Sequence, residues 1–264
     1  MAYGLVDLAQ DYLLAFGVLS IGSQLITRAF IPWLRQGKAA EEREKEIEKH
    51  PSEPPAQWCF VHALANVFIT WASAYDVVNV FADPERALFR SRDDPEINYR
   101  VAAMIGAVHA FHALFYRLSP ADIFHHLAFV IFNQVAIFWP AFPSVTGWTA
   151  LQWGSAINML NFFVCGLPGG CDYFLLGLVK EGRLSYLKHK RHQAMLNVWI
   201  RCPGMLTSVA IILFEAMRQW EHTPLGGKVI PILAFVLLGY NALHYMEQVV
   251  ASAGKKVEDF RGTS

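Results

Sequence analysis

The chain is short of charge, since only 17% of its 264 residues are Asp, Glu, Lys or Arg, whereas a soluble domain carries about 25%. Lys and Arg together number 22, as do Asp and Glu, so the basic surplus typical of a nucleic-acid-binding protein is missing. The four cysteines form no Cys-x-x-Cys pair, which argues against a disulfide framework or a zinc–thiolate site. Gly-x-Ser-x-Gly and a phosphate-binding loop are also missing, which argues against a serine hydrolase and a nucleotide-binding enzyme.

Apolar sequence is abundant instead, at 54% of the chain. A bilayer core takes about 20 apolar residues per helix. Seven stretches meet this requirement: 8–30, 58–81, 101–118, 122–140, 148–167, 195–217 and 229–250. The last has no lysine for a Schiff base, so a retinal protein is not expected. We predict an all-α, polytopic membrane helical bundle in which one N-terminal span precedes a six-helix bundle.

The distribution of Lys and Arg between the spans predicts the orientation. With the N-terminus outside, most of these residues fall on the inner side, as the positive-inside rule requires. The predicted parts are an N-terminal transmembrane helix (1–35), a polar cytosolic linker (36–55), a six-span domain (56–250) and a polar C-terminal tail (251–264). The first span lacks a basic flank and is not expected to be a signal peptide. The endoplasmic reticulum, mitochondrial inner and plastid membranes remain open.

Polar residues recur inside the spans at helical spacing. Because polar groups are costly in hydrocarbon, they normally face the interior of a bundle. We therefore predict a polar cavity that holds a lipid or substrate, although hydrogen bonds between helices, worth about 0.6 kcal/mol each, are the alternative. The residues predicted to line it are His62, Asn66, Asp76, His109, His112, Asn133, Asn158, Asn161, Asp172 and His244.

A sharper motif is Asp122-x-x-His125-His126 at the start of the fourth span. Ser119 and Pro120 before it are typical of a helix N-terminus, with Asp122 in the first turn. One histidine could act as a general base on an alcohol or amine while Asp122 orients it, so all three are candidate catalytic residues. A pair of hydrogen-bonded structural histidines is the alternative.

The remaining histidine pair, His189 and His192, lies in a basic segment. No His-x-x-His-His box occurs, and the adjacent cations disfavour a metal, so we predict no metal site. The segment instead predicts an interfacial helix that faces anionic headgroups. Its headgroup-binding residues would be Arg183, Lys188, Lys190 and Arg191.

The motif of Asp122 followed by His125-His126 resembles the TLC-domain family, which includes ceramide synthases and translocon-associated membrane proteins. The Asp83-Pro84 loop and the Asn197-x-x-x-Arg201 stretch are similar to that family as well. The resemblance covers about residues 56–250. It implies a six-span, lipid-handling domain with the N-terminus outside.

This chain departs from ceramide synthases at their catalytic motifs. Phe129 stands where His-His-x-x-Thr has its threonine. Asp172 matches the second acid of their His-Asp-x-x-Asp element, but Pro168 and Gly169 occupy the other two positions. N-acyl transfer is therefore not carried over. The Gly166–Gly170 run, with its proline, also predicts a break in the fifth span.

Three functions are consistent with the sequence. The first is an accessory subunit of a larger membrane complex, built on a TLC-like bundle that holds a lipid, because a polar linker and tail need a partner to order them. The second is a stand-alone lipid-binding or lipid-regulating protein. The third is an acyltransferase that uses His125-His126, and only this one requires acyl-CoA. No other cofactor is expected, and the expected partners are membrane lipids and other membrane subunits, not nucleic acid.

Overall fold

The computed structural model describes residues 5–36, 55–82, 99–131, 134, 154–218, 220–222 and 225–262, which contain helices and no strand. The predicted linker lies almost entirely outside these ranges, as do Asp83-Pro84 and Asn133. The helical stretches, numbered in chain order, are α1 (Leu5–Leu25, Ile26–Phe30 and Ile31–Arg35), α2 (Ala56–Ala82), α3 (Arg100–Phe115), α4 (Pro120–His125 and His126–Ile131), α5 (Gly154–Asn161, Phe162–Gly166 and Leu167–Lys180), α6 (Tyr186–Leu196, Asn197–Arg201 and Cys202–Arg218) and α7 (Leu225–Gly262).

Several of these helices have the length and composition of membrane spans. Within the described ranges, four are long and apolar enough to cross a bilayer: Val6–Arg35, Ala56–Ala82, Ser155–Lys180 and Tyr186–Arg218. Large apolar side chains project outward from them, and Trp71 and Trp199 are each 76% exposed. A surface of this kind is stable in lipid and unstable in water. The predicted all-α, multi-pass membrane bundle is confirmed, and each predicted span overlaps a described helix.

Among the described residues, the two largest apolar clusters form the cores that hold the helices together. The first lies between α1, α2 and α3, and its fully buried side chains include Leu19, Trp58 and Met104. The second joins α5, α6 and α7 around Leu160, Met205 and Ala242. Helix α2 packs against α1, α3 and α5, so it links the two cores and carries its polar face between them.

Among the described helices, three contain a turn of π-helix that ends shortly before a proline. The turns end at Phe30, Gly166 and Arg201, and the prolines Pro32, Pro168 and Pro203 each follow two residues later. A proline inside an α-helix loses one backbone hydrogen bond, and its ring collides with the carbonyl four residues earlier. We infer that the wider π turn relieves this collision, so each helix continues past its proline.

The predicted break in the fifth span takes the form of a local irregularity, since Gly166 has a ψ of −105°, outside the helical range, but the helix does not end there. Helix α5 continues through Pro168 to Lys180, with Leu167 N donating to Phe162 O across the π turn. The glycines after the proline bring α5 close to α2, because a Cβ built at Gly170 would lie 3.3 Å from the Cβ of Asn66. The run that predicts a helix break is thus a local irregularity and also a packing site.

The turn between α5 and α6 forms hydrogen bonds with the end of α1. Gly182, with φ of 62°, ends α5 in the left-handed conformation that glycine tolerates best. Next to it, Arg35 donates two hydrogen bonds to buried Glu181, at 2.8 and 3.0 Å. Arg183 donates to the backbone carbonyls of Leu34 and Gln36. Both hydrogen bonds come from Nη2 of this exposed residue, and its headgroup role stays a prediction.

Candidate functional site

Helices α2, α3 and α4 bring five histidines together. We call His62, His109, His112, His125 and His126 the histidine cluster. The His109 ring lies 5.3 Å from that of His125, 5.1 Å from that of His126 and 5.8 Å from that of His62, between centroids. His62, His109 and His112 are buried, whereas His126 is half-buried and His125 is exposed. The cluster thus extends from the interior of the bundle to its surface.

The hydrogen bonds assign protons to two of these rings. His109 Nδ1 lies 2.8 Å from the carbonyl of Ile105, which can only accept, so this nitrogen carries the proton. In a neutral ring, His109 Nε2 is then an acceptor, and His125 Nε2, 3.3 Å away, donates to it. The lone pair of neutral His125 is therefore on Nδ1. The His125 side chain that carries this nitrogen is exposed.

The start of α4 forms as its sequence predicts. Ser119 caps the helix and accepts from Asp122 N at 3.2 Å, while the Asp122 carboxylate accepts from Ser119 N at 2.8 Å. The predicted N-terminus, with its proline at the first position, is confirmed. The carboxylate of Asp122 binds Ser119 rather than a histidine, and it acts on His126 only through its charge.

His62 occupies an aromatic slot at the inner end of the cluster. Its ring stacks on Tyr173 of α5, with 3.9 Å between centroids and 10° between planes, and meets the edge of Trp58 at 4.9 Å. Only 6% of His62 is exposed, and its Nδ1 is buried without a hydrogen-bond partner among the described residues. An unsatisfied buried nitrogen costs about 1–3 kcal/mol, so a bound group that pairs with it would stabilise the protein.

Tyr173 connects the histidine cluster to a cation. Arg201, at the end of the π turn in α6, lies within electrostatic range of Tyr173 and His125. Its guanidinium carbon stands 4.4 Å from the ring centroid of Tyr245 in α7. Our sequence interpretation assigned no site role to Tyr173, Arg201 or Tyr245. A charged residue in an otherwise apolar span is itself a functional signal, and it could have identified Arg201.

A second polar group joins α5 to α6. Asp172 accepts hydrogen bonds from His189 Nε2 at 2.8 Å and from Gln193 at 2.9 Å. His189 is 2% exposed, so the buried partner of Asp172 comes from the segment whose basic residues suggested an interfacial helix. Of the remaining headgroup candidates, Lys188 and Arg191 are exposed, while Lys190 bonds to Gln193 at 3.0 Å.

The other predicted cavity residues divide by location. Asp76 and Asn158 are buried and share a 2.9 Å hydrogen bond between α2 and α5. Asn66 is 1% exposed and faces the glycines of α5, and Asn161 is fully buried. His244 is exposed and pairs with Gln248 on its own helix, so its predicted place in the cavity is corrected. Asn133 lies outside the described residues.

Neither a metal-binding group nor similarity to known proteins assigns a function to this site. Among the described residues, no group of three or more His, Cys, Asp or Glu side chains is arranged to hold a metal ion. Comparison of the chain with models of protein families, with curated proteins and with solved structures finds no match. The geometry of the site and the chemistry of its residues therefore carry the functional proposal.

Proposed function

We propose that the chain is a TLC-like, lipid-handling membrane protein that binds an acyl lipid with its polar end at the histidine cluster. The motif of Asp122, His125 and His126 supports the family resemblance. In this proposal the N-terminus is outside, the C-terminus is inside, and six spans follow the first one. The same bundle would serve in a stand-alone protein or as a subunit of a larger membrane complex.

The observation that carries the proposal is the Nδ1 of His62, which has no hydrogen-bond partner among the described residues. Buried polar atoms in native proteins nearly always have a partner, and the costs are higher where no water is near. The polar head of a lipid can supply the missing hydrogen bond, since a hydroxyl, amide or ester presents a suitable donor or acceptor. The stacked ring of Tyr173 keeps His62 in a fixed orientation for such a contact.

Native mass spectrometry after gentle solubilisation tests this function. We expect a protein mass that carries one acyl-lipid adduct per chain. Replacing His62 with Phe keeps the aromatic stack but removes both ring nitrogens, so the adduct should be largely lost. The matched control is His192→Phe, because His192 is exposed and remote in sequence from the cluster. Loss of the adduct in neither variant, or its absence from the wild type, would contradict the proposal.

The same measurement addresses the subunit function. An accessory subunit would be released from its native membrane as part of a particle much heavier than the 29.7 kDa chain. A monomer or homodimer with bound lipid would favour the stand-alone function instead.

Acyl transfer is a second candidate, favoured by the geometry of His125. With Nε2–H bonded to His109, the ring is oriented and Nδ1 is basic, which suits a general base for an alcohol or amine nucleophile. If this activity exists, His125→Ala should abolish the formation of acylated product while the fold is preserved. Normal turnover by both His125→Ala and His126→Ala would exclude it.

A further inference from the structure

Arg201 is a cation held inside the bundle. It lies within Tyr186–Arg218, one of the helices that are apolar enough to cross a membrane. The residue is half-buried, and its Nε is fully enclosed without a hydrogen-bond partner in the described part of the chain. The face of Tyr245 covers the guanidinium at 4.4 Å. A cation–π contact of this kind stabilises the charge but does not neutralise it.

Within the described ranges, the structure pairs no carboxylate with Arg201. The acid that shares its electrostatic environment is Asp172, which also acts on Tyr173 and Tyr245. Both oxygens of that carboxylate already accept hydrogen bonds, from His189 and from Gln193. Intramembrane arginines normally face a polar cavity and pair with an anion. Arg201 therefore has the environment of a binding residue whose counter-ion comes from a ligand.

We propose that Arg201 binds the anionic head of the acyl lipid, a carboxylate or a phosphate. This inference rests on the proposed lipid-binding function and adds the charge class of its ligand. The guanidinium forms charge-assisted, often bidentate hydrogen bonds with either oxyanion. His125 and Tyr173 lie within electrostatic range of the same cation, which links Arg201 to the histidine cluster.

This position also fits the chemistry of the surrounding rings. Tyr245 covers one face of the half-buried cation, and partial burial strengthens its attraction for an oxyanion. His62, whose Nδ1 has no hydrogen-bond partner among the described residues, stacks on Tyr173, so a head with several oxygens has a second partner there. A neutral lipid could satisfy His62 but would leave Arg201 without an anion in direct contact.

A scintillation proximity assay with tritiated probes tests the charge class on the purified full-length chain in detergent micelles. The probes are oleate, 1-oleoyl lysophosphatidate and oleyl alcohol, at a pH at which oleate is ionised. We expect the wild type to bind one or both anions and to bind the alcohol weakly. Arg201→Gln should weaken anion binding by about 10- to 100-fold, the effect of losing one or two charge-assisted hydrogen bonds.

Two controls separate charge from structure. Arg28→Gln makes the same change at an exposed position in α1 and should bind the anions like the wild type. Arg201→Lys retains the charge but not the planar guanidinium with its bidentate hydrogen bonds. If this variant folds, it should bind the anions more tightly than Arg201→Gln and less tightly than the wild type. Preference for oleate identifies a carboxylate head, and preference for lysophosphatidate identifies a phosphate head.

The outcomes distinguish this inference from the function on which it rests. If the alcohol binds as tightly as the anions, or if Arg201→Gln binds oleate and lysophosphatidate like the wild type, the anion site is refuted while lipid binding stands. If the wild type binds none of the three probes, both the lipid-binding function and the anion site are refuted.

Discussion

The contact between Arg35 and Glu181 gives the sharpest prediction about the architecture. The pair joins the end of α1 to the turn between α5 and α6, the two helices that carry Tyr173 and Arg201. The Glu181 side chain is 2% exposed and that of Arg35 is 44% exposed. Two hydrogen bonds of 2.8 and 3.0 Å connect them in bidentate geometry.

The perturbation is Arg35→Gln, which leaves the buried carboxylate without its cation. Removing one partner of a fully buried ion pair costs about 3–5 kcal/mol. Because Arg35 is partly exposed, water screens the pair and replaces part of the interaction, so we expect a loss of about 2–3 kcal/mol in the free energy of unfolding. The double variant Arg35→Gln/Glu181→Gln should lose less than Arg35→Gln alone, since no charge then remains buried.

Reversible unfolding in mixed detergent–SDS micelles, followed by circular dichroism, measures these free energies. The Arg35→Gln, Glu181→Gln and double variants form a cycle whose coupling energy should be at least about 1 kcal/mol. Arg28→Gln serves as the control for removing an arginine from α1. An ordinary surface change costs less than about 0.5 kcal/mol. A loss this small for Arg35→Gln, or a coupling energy near zero, would refute the stabilising role of the Arg35–Glu181 pair.

Two further changes test local features. Ser119→Ala removes the cap of α4 and should cost about 1 kcal/mol of unfolding free energy, whereas a variant as stable as the wild type would contradict the capping box. Gly106→Ala places a Cβ against Tyr12, 2.7 Å from its Cζ, and should cost about 1–3 kcal/mol because α1 and α3 are forced apart. Tyr12→Phe combined with Gly106→Ala should not restore stability, because Cζ and Cε1 of the ring remain 2.7 and 2.9 Å from the new Cβ and the hydrogen bond from the tyrosine hydroxyl to Gln134 is lost.

The sequence predicts most of the helices because their signal is local. Apolar runs of about 20 residues identify spans regardless of how the spans pack. The cap at Ser119 is equally local, since it needs only the residues up to Asp122. The continuation of α5 past Pro168 could not be predicted in this way, because the rule that proline ends a helix overlooks a compensating π turn.

The site is predicted less completely, because it depends on which helices meet. The spacing of His109 and His112 shows that they share a face, and the structure brings that face against α2 and α4. The same reasoning fails for His244, which is exposed. A stripe of polar residues shows that they share one face of a helix, but not whether that face points into the bundle or away from it. The stack of His62 on Tyr173 joins residues more than a hundred positions apart, and no local pattern indicates it.

The central claim is that a lipid head lies at the histidine cluster, inside the bundle. Photo-crosslinking tests it most directly, with an acyl lipid that carries a diazirine next to its head group, followed by peptide mapping. We expect crosslinks in peptides that contain His62, His109 or Tyr173, competed by unlabelled lipid. Crosslinks confined to outward-facing positions, such as Trp71 and Trp199, would show that lipid only coats the protein and would contradict the account.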